Sequence, residues 1–499
     1  MSGIEYLIHG FQIALTPTNF LANLVGVILG TIVGVLPGLG PIEAMAIMLP
    51  ISIHYGPLVG LIMLAGVWYG AQYGGSTTSI LVNIPGEASS VITCVDGYQM
   101  TRKGRAGAAL AISAIGSFVA GTIGIILLQF FAPPLAKAAL SFGPPEYLAV
   151  MLLAFIALSN LGGDNPLKGA MMIALGAFIS TIGIDRISGV HRFTMGIPDM
   201  MYGINFVPVA VGLFGVAEVI RIAVDTYAPS TIKSVRFREL YPNREETRRS
   251  IMPIIRGSFI GAFFGLLPGT PAVMASFTSY SVEKSISPRK EEFGHGAIEG
   301  VAGPESANNS AVIIALVPLL CLGIPLAPVA ALLLAGLEMH NVTPGPLFIQ
   351  ENPTIFWGFI AAMYLGNFLL LVLNLPLVGL FARVATLRPQ VLMPIVGILC
   401  LIGSYMTRMA LFDVYVMIGA GIVGFFLTRL GFSMIPLVIG MVLGNILEDN
   451  LRVTAQWLNG DLSQLLHRPI TLVILALIPV YIIFIRMAGR KVFKNGGKD

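Results

Sequence analysis

The sequence predicts an all-α polytopic membrane protein, from its composition, its long uncharged stretches and the glycines and prolines that interrupt them. Of its 499 residues, 56% are hydrophobic and only 11% are charged, whereas soluble domains carry roughly 25% charged residues. Charge-poor stretches recur at 106–131, 356–380, 414–427 and 470–485. Because a helix needs about 20 apolar residues to cross a bilayer, we expect about 10–13 transmembrane helices.

The 57 glycines and 32 prolines indicate interrupted helices, which membranes tolerate only inside protein or beside a wet cavity. Two hydrophobic segments break at a shared motif, and the Gly-x-Leu-Pro-Gly of the second begins 231 positions (265 − 34) after that of the first. The first motif is Gly34-Val35-Leu36-Pro37-Gly38-Leu39-Gly40-Pro41, and the second is Gly265-Leu266-Leu267-Pro268-Gly269-Thr270-Pro271.

A polar run and an Ile-Pro pair follow each motif in the same order. Ser76–Ser79 in the first half corresponds to Ser306–Ser310 in the second, with Ser79 matching Ser310 at the same offset of 231 (310 − 79). Ile84-Pro85 corresponds to Ile324-Pro325 at an offset of 240 (324 − 84). Three features in one order indicate an internal duplication.

The charges around the breaks predict that the two repeats are inverted. The first break leads into the basic loop at 102–105, whereas the region after the second, 338–353, contains Glu338 and Glu351 but no Lys or Arg. Because basic loops face the cytoplasm, the matching loops face opposite sides, as in many secondary transporters. The predicted domains are a first repeat at 1–228, a basic cytoplasmic linker at 229–253 and a second repeat at 254–499, which ends in a basic cytoplasmic tail.

Each motif is predicted to form a re-entrant helical hairpin. Residues 254–267 enter from the basic linker and are too few to span comfortably. Pro271 then starts a new helix, since proline is tolerated in a first helical turn, and the chain returns to a basic region at 283–290. Gly269 and Thr270 would lie at this tip, and the first motif would form the mirror hairpin.

A helix that begins inside the membrane leaves backbone N–H groups unpaired and suits a carboxylate, while free carbonyl and hydroxyl oxygens suit Na⁺. For any single Ser or Thr, helix packing is the competing interpretation, and Glu305 could instead relay a proton. The candidate substrate-binding residues are Gly38, Leu39, Gly40, Pro41, Gly269, Thr270, Pro271, Ser76, Thr77, Thr78, Asn308 and Asn309. The candidate hinges are Gly34, Pro37, Gly265 and Pro268, and the candidate cation ligands are Ser79, Asn83, Glu305, Ser306 and Ser310.

The stretch Glu291-Glu292-Phe293-Gly294-His295-Gly296-Ala297-Ile298-Glu299-Gly300-Val301-Ala302, followed by Pro304-Glu305-Ser306-Ala307-Asn308-Asn309, resembles the large membrane subunit (TctA-type) of tripartite tricarboxylate transporters. Motif order and length extend this resemblance over essentially the whole chain. It implies a multi-pass protein of the bacterial inner membrane that works with a small membrane subunit (TctB-like) and a periplasmic solute-binding protein (TctC-like).

The resemblance also implies coupling to Na⁺ or H⁺, carboxylate substrates such as citrate, an elevator-type motion, and a transport site at Pro37, Gly38, Pro268 and Gly269. No Lys or Arg lies in either motif, so charge recognition would rest on backbone dipoles and bound cations. The expected function is substrate translocation in a binding-protein-dependent secondary transporter. The alternative is an anion channel, or a carrier that works without a binding protein.

No cofactor is expected beyond the coupling ion, and no metal beyond Na⁺. The chain has no Gly-x-x-x-x-Gly-Lys-[Ser/Thr] loop for ATP hydrolysis. It also has no His-Glu-x-x-His or Gly-x-Ser-x-Gly motif for an intramembrane enzyme. The sequence therefore predicts that the chain is not an enzyme.

Overall fold

The computed structural model describes residues 3–36, 39–159, 165–185, 187–224, 241–384 and 389–495. Most of these residues are helical, with short 3₁₀ turns and one π-helical turn, Val211–Val216, between helices. The helices are α1 Gly3–Ala14, α2 Pro17–Val35, α3 Pro41–Ser52, α4 Pro57–Val82, α5 Val91–Arg102, α6 Ala106–Ala139, α7 Pro144–Ser159, α8 Pro166–Ser180, α9 Phe206–Ala210, α10 Ala217–Val224, α11 Arg244–Gly265, α12 Pro271–Ile286, α13 Glu299–Ile314, α14 Leu316–Leu322, α15 Pro328–Met339, α16 Phe348–Glu351, α17 Pro353–Val384, α18 Pro389–Arg408, α19 Leu411–Arg429, α20 Ile435–Leu458 and α21 Pro469–Asn495. Strands β1 Gly183–Ile184 and β2 His191–Arg192 form one antiparallel pair.

Six of the described helical segments are long and apolar enough to cross a membrane, and shorter apolar helices accompany them. The six are Pro17–Val35, Ala106–Ala139, Phe206–Val224, Glu299–Leu322, Pro353–Pro376 and Leu411–Arg429. This confirms an all-α, polytopic membrane protein. The expected number of 10–13 crossings stays a prediction.

The helices group into two compact units that each combine distant parts of the chain. The first unit joins Met1–Ala136 to Val207–Phe426, and the second joins Lys137–Phe206 to Leu427–Asp499. Both units draw on both halves of the sequence. The predicted division into repeats at 228 and 254 is therefore a different division from these packing units.

In the second unit, helices α7, α8, α20 and α21 pack against one another. The approach of α8 to α20 is close, since a Cβ atom on Gly176 would lie 2.0 Å from the Leu437 carbonyl oxygen. Arg452 donates to both carboxylate oxygens of Asp185, at 2.8 and 3.2 Å. These hydrogen bonds from Arg452 hold the pKa of Asp185 below its usual range.

Two helix pairs in the first unit pack backbone against backbone through glycines spaced four residues apart. Because glycine lacks a side chain, such stripes let membrane helices approach closely. In the pair α2–α4, a Cβ atom on Gly26, Gly30 or Gly34 would lie 2.2–2.3 Å from the carbonyl oxygen of Met63, Val67 or Ala71, respectively. In the pair α11–α13, a Cβ atom on Gly257, Gly261 or Gly265 would lie 2.2–2.7 Å from that of Gly303, Ala307 or Ala311. Residue numbers rise together along both contacts, so each pair is parallel.

The two glycine-packed pairs run in opposite directions. Ser76 of α4 contacts Glu305 of α13. Further along α4, Ile80 packs in a cluster with Ile298, which directly precedes α13, and with Val301 in its first turn. Helix α4 is therefore antiparallel to α13, and the pair α2–α4 is antiparallel to the pair α11–α13.

Helix α11 begins at Arg244 rather than at residue 254, within the stretch predicted to be a linker. Residues 229–240 of that linker lie outside the described residues. The start of α11 is fixed by a capping box. The Asn243 side chain accepts a hydrogen bond from the Glu246 N–H, and the Glu246 carboxylate accepts one from the Asn243 N–H, both at 2.8 Å. The helix therefore has 22 residues and is longer than the half-span expected from the sequence.

Replacing Asn243 with Ala is expected to lower the stability of the protein by about 1 kcal/mol, because it leaves an N–H group of the first helical turn without its acceptor. Thermal unfolding in detergent would measure the loss. Asn243→Asp retains an acceptor oxygen and should melt close to the wild type. An equal loss in both variants would contradict a capping role.

Basic residues from two regions predicted to be cytoplasmic meet at one end of the first unit. Arg105, which follows α5, pairs with Glu246 at the start of α11. Lys103 donates to the carbonyl oxygen of His295 at 2.6 Å, and Arg249 pairs with Glu299 at the start of α13. The loop at 102–105 and the start of α11 thus share one end, as the charge pattern requires.

Candidate functional site

The Ile84-Pro85 pair forms the first helix break, at which the chain reverses immediately after α4. Asn83 ends the helix in the left-handed conformation with φ 60°, and Ile84-Pro85 leads to Gly86. A Cβ atom on Gly86 would lie 2.3 Å from the Gly75 Cα and 2.7 Å from the Gly34 carbonyl oxygen. Only glycine fits this position, where the break folds back onto α2 and α4.

The second break repeats this geometry after α14. Gly323 ends the helix with φ 70°, and Ile324-Pro325 leads to Leu326. The Leu326 carbonyl oxygen accepts a hydrogen bond of 3.0 Å from the N–H of Gly269, at the tip of the second motif. In the first half, Gly40 of the other tip lies beside Gly86, since a Cβ atom on it would be 3.7 Å from the Gly86 carbonyl oxygen. Each tip therefore meets the residue that follows the Ile-Pro pair.

At the first tip, Gly40 precedes α3 and Pro41 is its first residue. The Gly40 N–H donates to the Glu43 carboxylate at 2.8 Å, so this N–H already has an acceptor. Leu39 is buried with Leu36, Ile222 and Met393. Pro37 and Gly38 lie outside the described residues.

At the second tip, Gly269 adopts φ 126°, a region that favours glycine. Thr270 precedes α12 without donating or accepting a side-chain capping bond, and Pro271 is the first helical residue. The N-terminus of α12 therefore lacks the side-chain cap that Glu43 gives α3. Of the two tips, the second is the better suited to a carboxylate.

The first polar run mostly bonds to its own helix. Thr77 donates to the Tyr73 carbonyl oxygen at 3.1 Å. Thr78 and Ser79 both reach the Gly75 carbonyl oxygen, at 3.0 and 2.9 Å. Two bonds leave the helix: Ser79 also donates to the Ser90 hydroxyl at 2.9 Å, and the Ser76 hydroxyl reaches the Glu305 carboxylate at 2.6 Å.

The second polar run makes contacts to the first half of the chain. Asn308 donates to the Glu87 carboxylate at 2.9 Å, and Asn309 donates to the Ser117 hydroxyl at 2.8 Å. Ser306 donates back to Ala302 within its helix. Within the described part of the chain, the buried Ser310 hydroxyl and the Asn308 side-chain oxygen have no hydrogen-bond partner.

Glu305 is the centre of this arrangement. It is only 1% exposed and accepts hydrogen bonds from Ser76, Thr93 and Ser113, which lie on α4, α5 and α6. Sequence reasoning missed Thr93, Ser113 and Ser117, which are single hydroxyl groups without a motif. It also missed Glu87, although an acid directly after the Ile-Pro-Gly break is a recognisable signal.

The two polar runs do not lie at corresponding positions along α4 and α13 when the two glycine-packed pairs are matched to each other. The glycine contacts relate α4 to α13 by an offset of 240 (303 − 63), not by the 231 that matches Ser79 to Ser310. Ser306 and Ser310 thus stand where the first pair has Gly66 and Gly70. Among the described contacts, the Ser76–Glu305 hydrogen bond connects the first run to the residue that directly precedes the second.

Interrupted helices around a buried polar centre, in a chain of many apolar helices, define a polytopic membrane protein of the transporter class. The sequence model of the Tripartite tricarboxylate transporter TctA family matches residues 20–439. The chain belongs to this family. It is therefore a membrane component of a tripartite tricarboxylate transporter.

Two curated relatives come from Agrobacterium vitis. One, described as "Uncharacterized 52.8 kDa protein in TAR-I ttuC' 3'region", is 48% identical over 476 residues, which is 95% of each chain. The other, "Uncharacterized protein in TAR-II ttuC' 3'region", is 48% identical over 217 residues, or 44% of this chain and 90% of the relative. No solved structure matches the chain.

Proposed function

We propose that this chain is the substrate-translocating subunit of a binding-protein-dependent secondary transporter in the bacterial inner membrane. It imports small carboxylates, such as dicarboxylates or citrate-like tricarboxylates, and a gradient of Na⁺ or H⁺ drives the import. Its partners are a small TctB-like membrane subunit and a TctC-like periplasmic binding protein. The observation that carries the proposal is the convergence of both polar runs on two acids: Ser76 donates to Glu305, and Asn308 donates to Glu87, which directly follows the first helix break.

The substrate site is proposed at the second tip and the adjoining polar residues. Thr270 and Pro271 begin α12, whose uncapped N-terminus presents backbone N–H groups and a partial positive charge. Helix α12 contacts the short 3₁₀ turn Ala88–Ser90 that follows Glu87. A carboxylate at this tip would thus lie near the polar centre, with Asn308 and Asn309 as further donors.

Glu87 and Glu305 are acidic groups next to the proposed site for negative substrates, and this favours cation coupling. A proton or a bound cation on either carboxyl removes the repulsion that an entering carboxylate meets. The oxygens of Ser79, Asn83, Ser306 and Ser310 are further candidate ligands for Na⁺. Substrate and cation would then enter together.

The two glycine-packed pairs support an inverted repeat. Each is a parallel pair, the pairs run antiparallel, and each break ends in a left-handed residue before Ile-Pro. We propose that one group of helices carries the site across the membrane in an elevator-type motion, with hinges near Gly34, Pro37, Gly265 and Pro268.

The test is uptake of labelled carboxylates into proteoliposomes that contain this chain and its small membrane partner. The binding protein is added or withheld, and an inward Na⁺ or H⁺ gradient is imposed or collapsed. The expected result is saturable uptake that needs both the binding protein and one gradient. Uptake that neither saturates nor responds to a gradient would instead indicate the alternative, an anion channel, and gradient-driven uptake without the binding protein would indicate an independent carrier.

A further inference from the structure

The Glu305 carboxyl lies in a cage of hydroxyl groups. Its Oε1 accepts a hydrogen bond of 2.5 Å from Thr93, and its Oε2 accepts bonds of 2.6 Å from Ser76 and 3.2 Å from Ser113. The three donors lie on three helices other than α13. Glu305 thus connects α13 to α4, α5 and α6 through hydroxyl groups alone.

No Lys, Arg or His of the described residues lies within ion-pair distance of Glu305. Two other buried acids in the described ranges, in contrast, have a guanidinium neighbour: Glu283 has Arg256 at 2.6 Å and Glu146 has Arg468 at 3.6 Å. A lone charge at membrane depth is costly. The neutral carboxylic acid avoids this cost.

Asp96 shows why the type of donor matters. It is also buried, but it accepts three backbone N–H groups, from Gly294, Gly296 and Ala297, and the Tyr280 hydroxyl. An N–H group can only donate, so this cage suits the ionised form of Asp96. A hydroxyl can donate or accept, so the cage around Glu305 can bind either form.

Ser76 can hydrogen-bond to both the ionised and the protonated form of Glu305. Its hydroxyl lies 2.6 Å from Glu305 Oε2 and 3.2 Å from the Gln72 carbonyl oxygen, but it has one hydrogen to donate. When Glu305 is ionised, Ser76 donates to the carboxylate. When Glu305 is protonated, its O–H donates to Ser76, which turns its hydrogen to Gln72. Neither form leaves a buried polar group without a bond.

A cavity of about 20 Å³ reaches this cage from one side. It is lined by Tyr73, Thr77, Ser113 and Asn374, among others. About 10–15 Å³ is sufficient to hold one water molecule. Since the Ser113 hydroxyl borders the cavity and contacts Glu305, a water there could pass a proton through Ser113 to the carboxyl.

We propose that Glu305 carries the coupling proton. It binds H⁺ from one side of the membrane, stays neutral while the substrate site moves across, and releases H⁺ to the other side. This inference rests on the proposed transport function and names its coupling ion and its carrier. Asn308 and Asn309, one turn further on the same helix, connect the protonated residue to the proposed substrate site.

The titratable and charged groups around Glu305 leave it free to titrate. Tyr73 of α4, Cys94 of α5 and Glu87 before α5 interact with its charge. On α11 and α12, Arg256 and Glu283 neutralise each other, and so do Arg249 and Glu299 at the ends of α11 and α13.

The test compares wild type with Glu305→Gln, which imitates the protonated form, in proteoliposomes with the partner subunit and binding protein. Two readouts are taken with the membrane potential clamped: exchange of labelled for unlabelled carboxylate, and accumulation driven by an inward pH gradient of one unit. One pH unit corresponds to about 1.4 kcal/mol, so one proton per substrate drives about tenfold accumulation. We expect Glu305→Gln to keep exchange and to lose accumulation, with an inside-to-outside ratio near one.

Glu146→Gln is the matched control. Glu146 is equally buried, at 1% exposure, and accepts a hydroxyl bond of 2.7 Å from Thr471, but Arg468 compensates its charge. This variant should accumulate substrate like the wild type. Wild-type accumulation by Glu305→Gln, or accumulation that responds only to Na⁺, would overturn the inference and leave the proposed function standing. A wild type that neither exchanges nor accumulates any carboxylate would overturn the proposed function itself.

Thr93→Val is a second variant that tests the same inference if Glu305→Gln does not fold. Thr93 stabilises the ionised carboxylate with one hydrogen bond, so its loss favours the neutral acid. The external pH at half-maximal uptake should move upward. An unchanged pH profile in a folded Thr93→Val protein would contradict proton binding at Glu305.

Discussion

Replacement of Gly269 with Leu is expected to reduce carboxylate uptake at least tenfold while the protein still inserts and assembles. Gly269 holds φ 126° and donates to the Leu326 carbonyl oxygen. A side chain in such a conformation costs about 1–3 kcal/mol, and about 1.4 kcal/mol is a tenfold change in an equilibrium. The tip would leave this conformation and separate from the second break. Uptake into proteoliposomes, normalised to the amount of inserted protein, measures the effect.

Gly460→Leu is the control for Gly269→Leu. Gly460 also has a positive φ, 84°, but a Cβ atom there would have no neighbour within 4 Å. It lies in the loop after α20, in the second unit. Equal losses of uptake in both variants, or full uptake in Gly269→Leu, would exclude the second tip as part of the site.

Replacement of Gly30 or Gly261 with Leu is expected to prevent stable folding of the first unit. A Cβ atom on either would lie 2.2 Å from a backbone carbonyl oxygen, of Val67 or Ala307. Overpacking in a core typically costs about 1–3 kcal/mol, and here the obstacle is backbone that cannot change rotamer. We expect a loss of about 3 kcal/mol or more in each variant, seen as aggregation during size-exclusion chromatography in detergent.

Gly419→Leu provides the comparison for the glycine stripes. Gly419 is also within an apolar helix, α19, but a Cβ atom there meets nothing within 4 Å. This variant should elute as the wild type does. A monodisperse Gly30→Leu or Gly261→Leu protein with wild-type stability would show that the close packing of the pairs is not required.

The helix breaks could be predicted from the sequence because proline and glycine act locally. Pro41 and Pro271 each begin a helix as expected, and the Ile-Pro pairs end theirs. The start of α11 was missed although Asn243 and Glu246 have the spacing of a capping box. The first turns of α11 are charged, so hydropathy alone places the start of the helix at the apolar residues after 254.

The polar centre could be predicted only in part. Glu305, Asn308 and Asn309 stand in one recognisable run, but their partners Thr93, Ser113 and Ser117 are isolated hydroxyl groups in other segments. Nothing local distinguishes these from hydroxyl groups that only pack. The sequence offset of 231 matches Ser79 to Ser310, but the packing relates α4 to α13 by 240. This correspondence depends on tertiary contacts, which the sequence offset does not contain.

The glycine stripes have a consequence for how the polar centre can be studied. Contacts between backbones immobilise no long side chains, and glycine loses no rotamer freedom when it is buried. The association of α2 with α4, and of α11 with α13, therefore does not depend on which side chains occupy the opposite faces of α4 and α13. We therefore expect both pairs to stay packed when Ser76, Glu305 and Asn308 are exchanged, singly or together, so that their effects on transport can be measured as differences in chemistry.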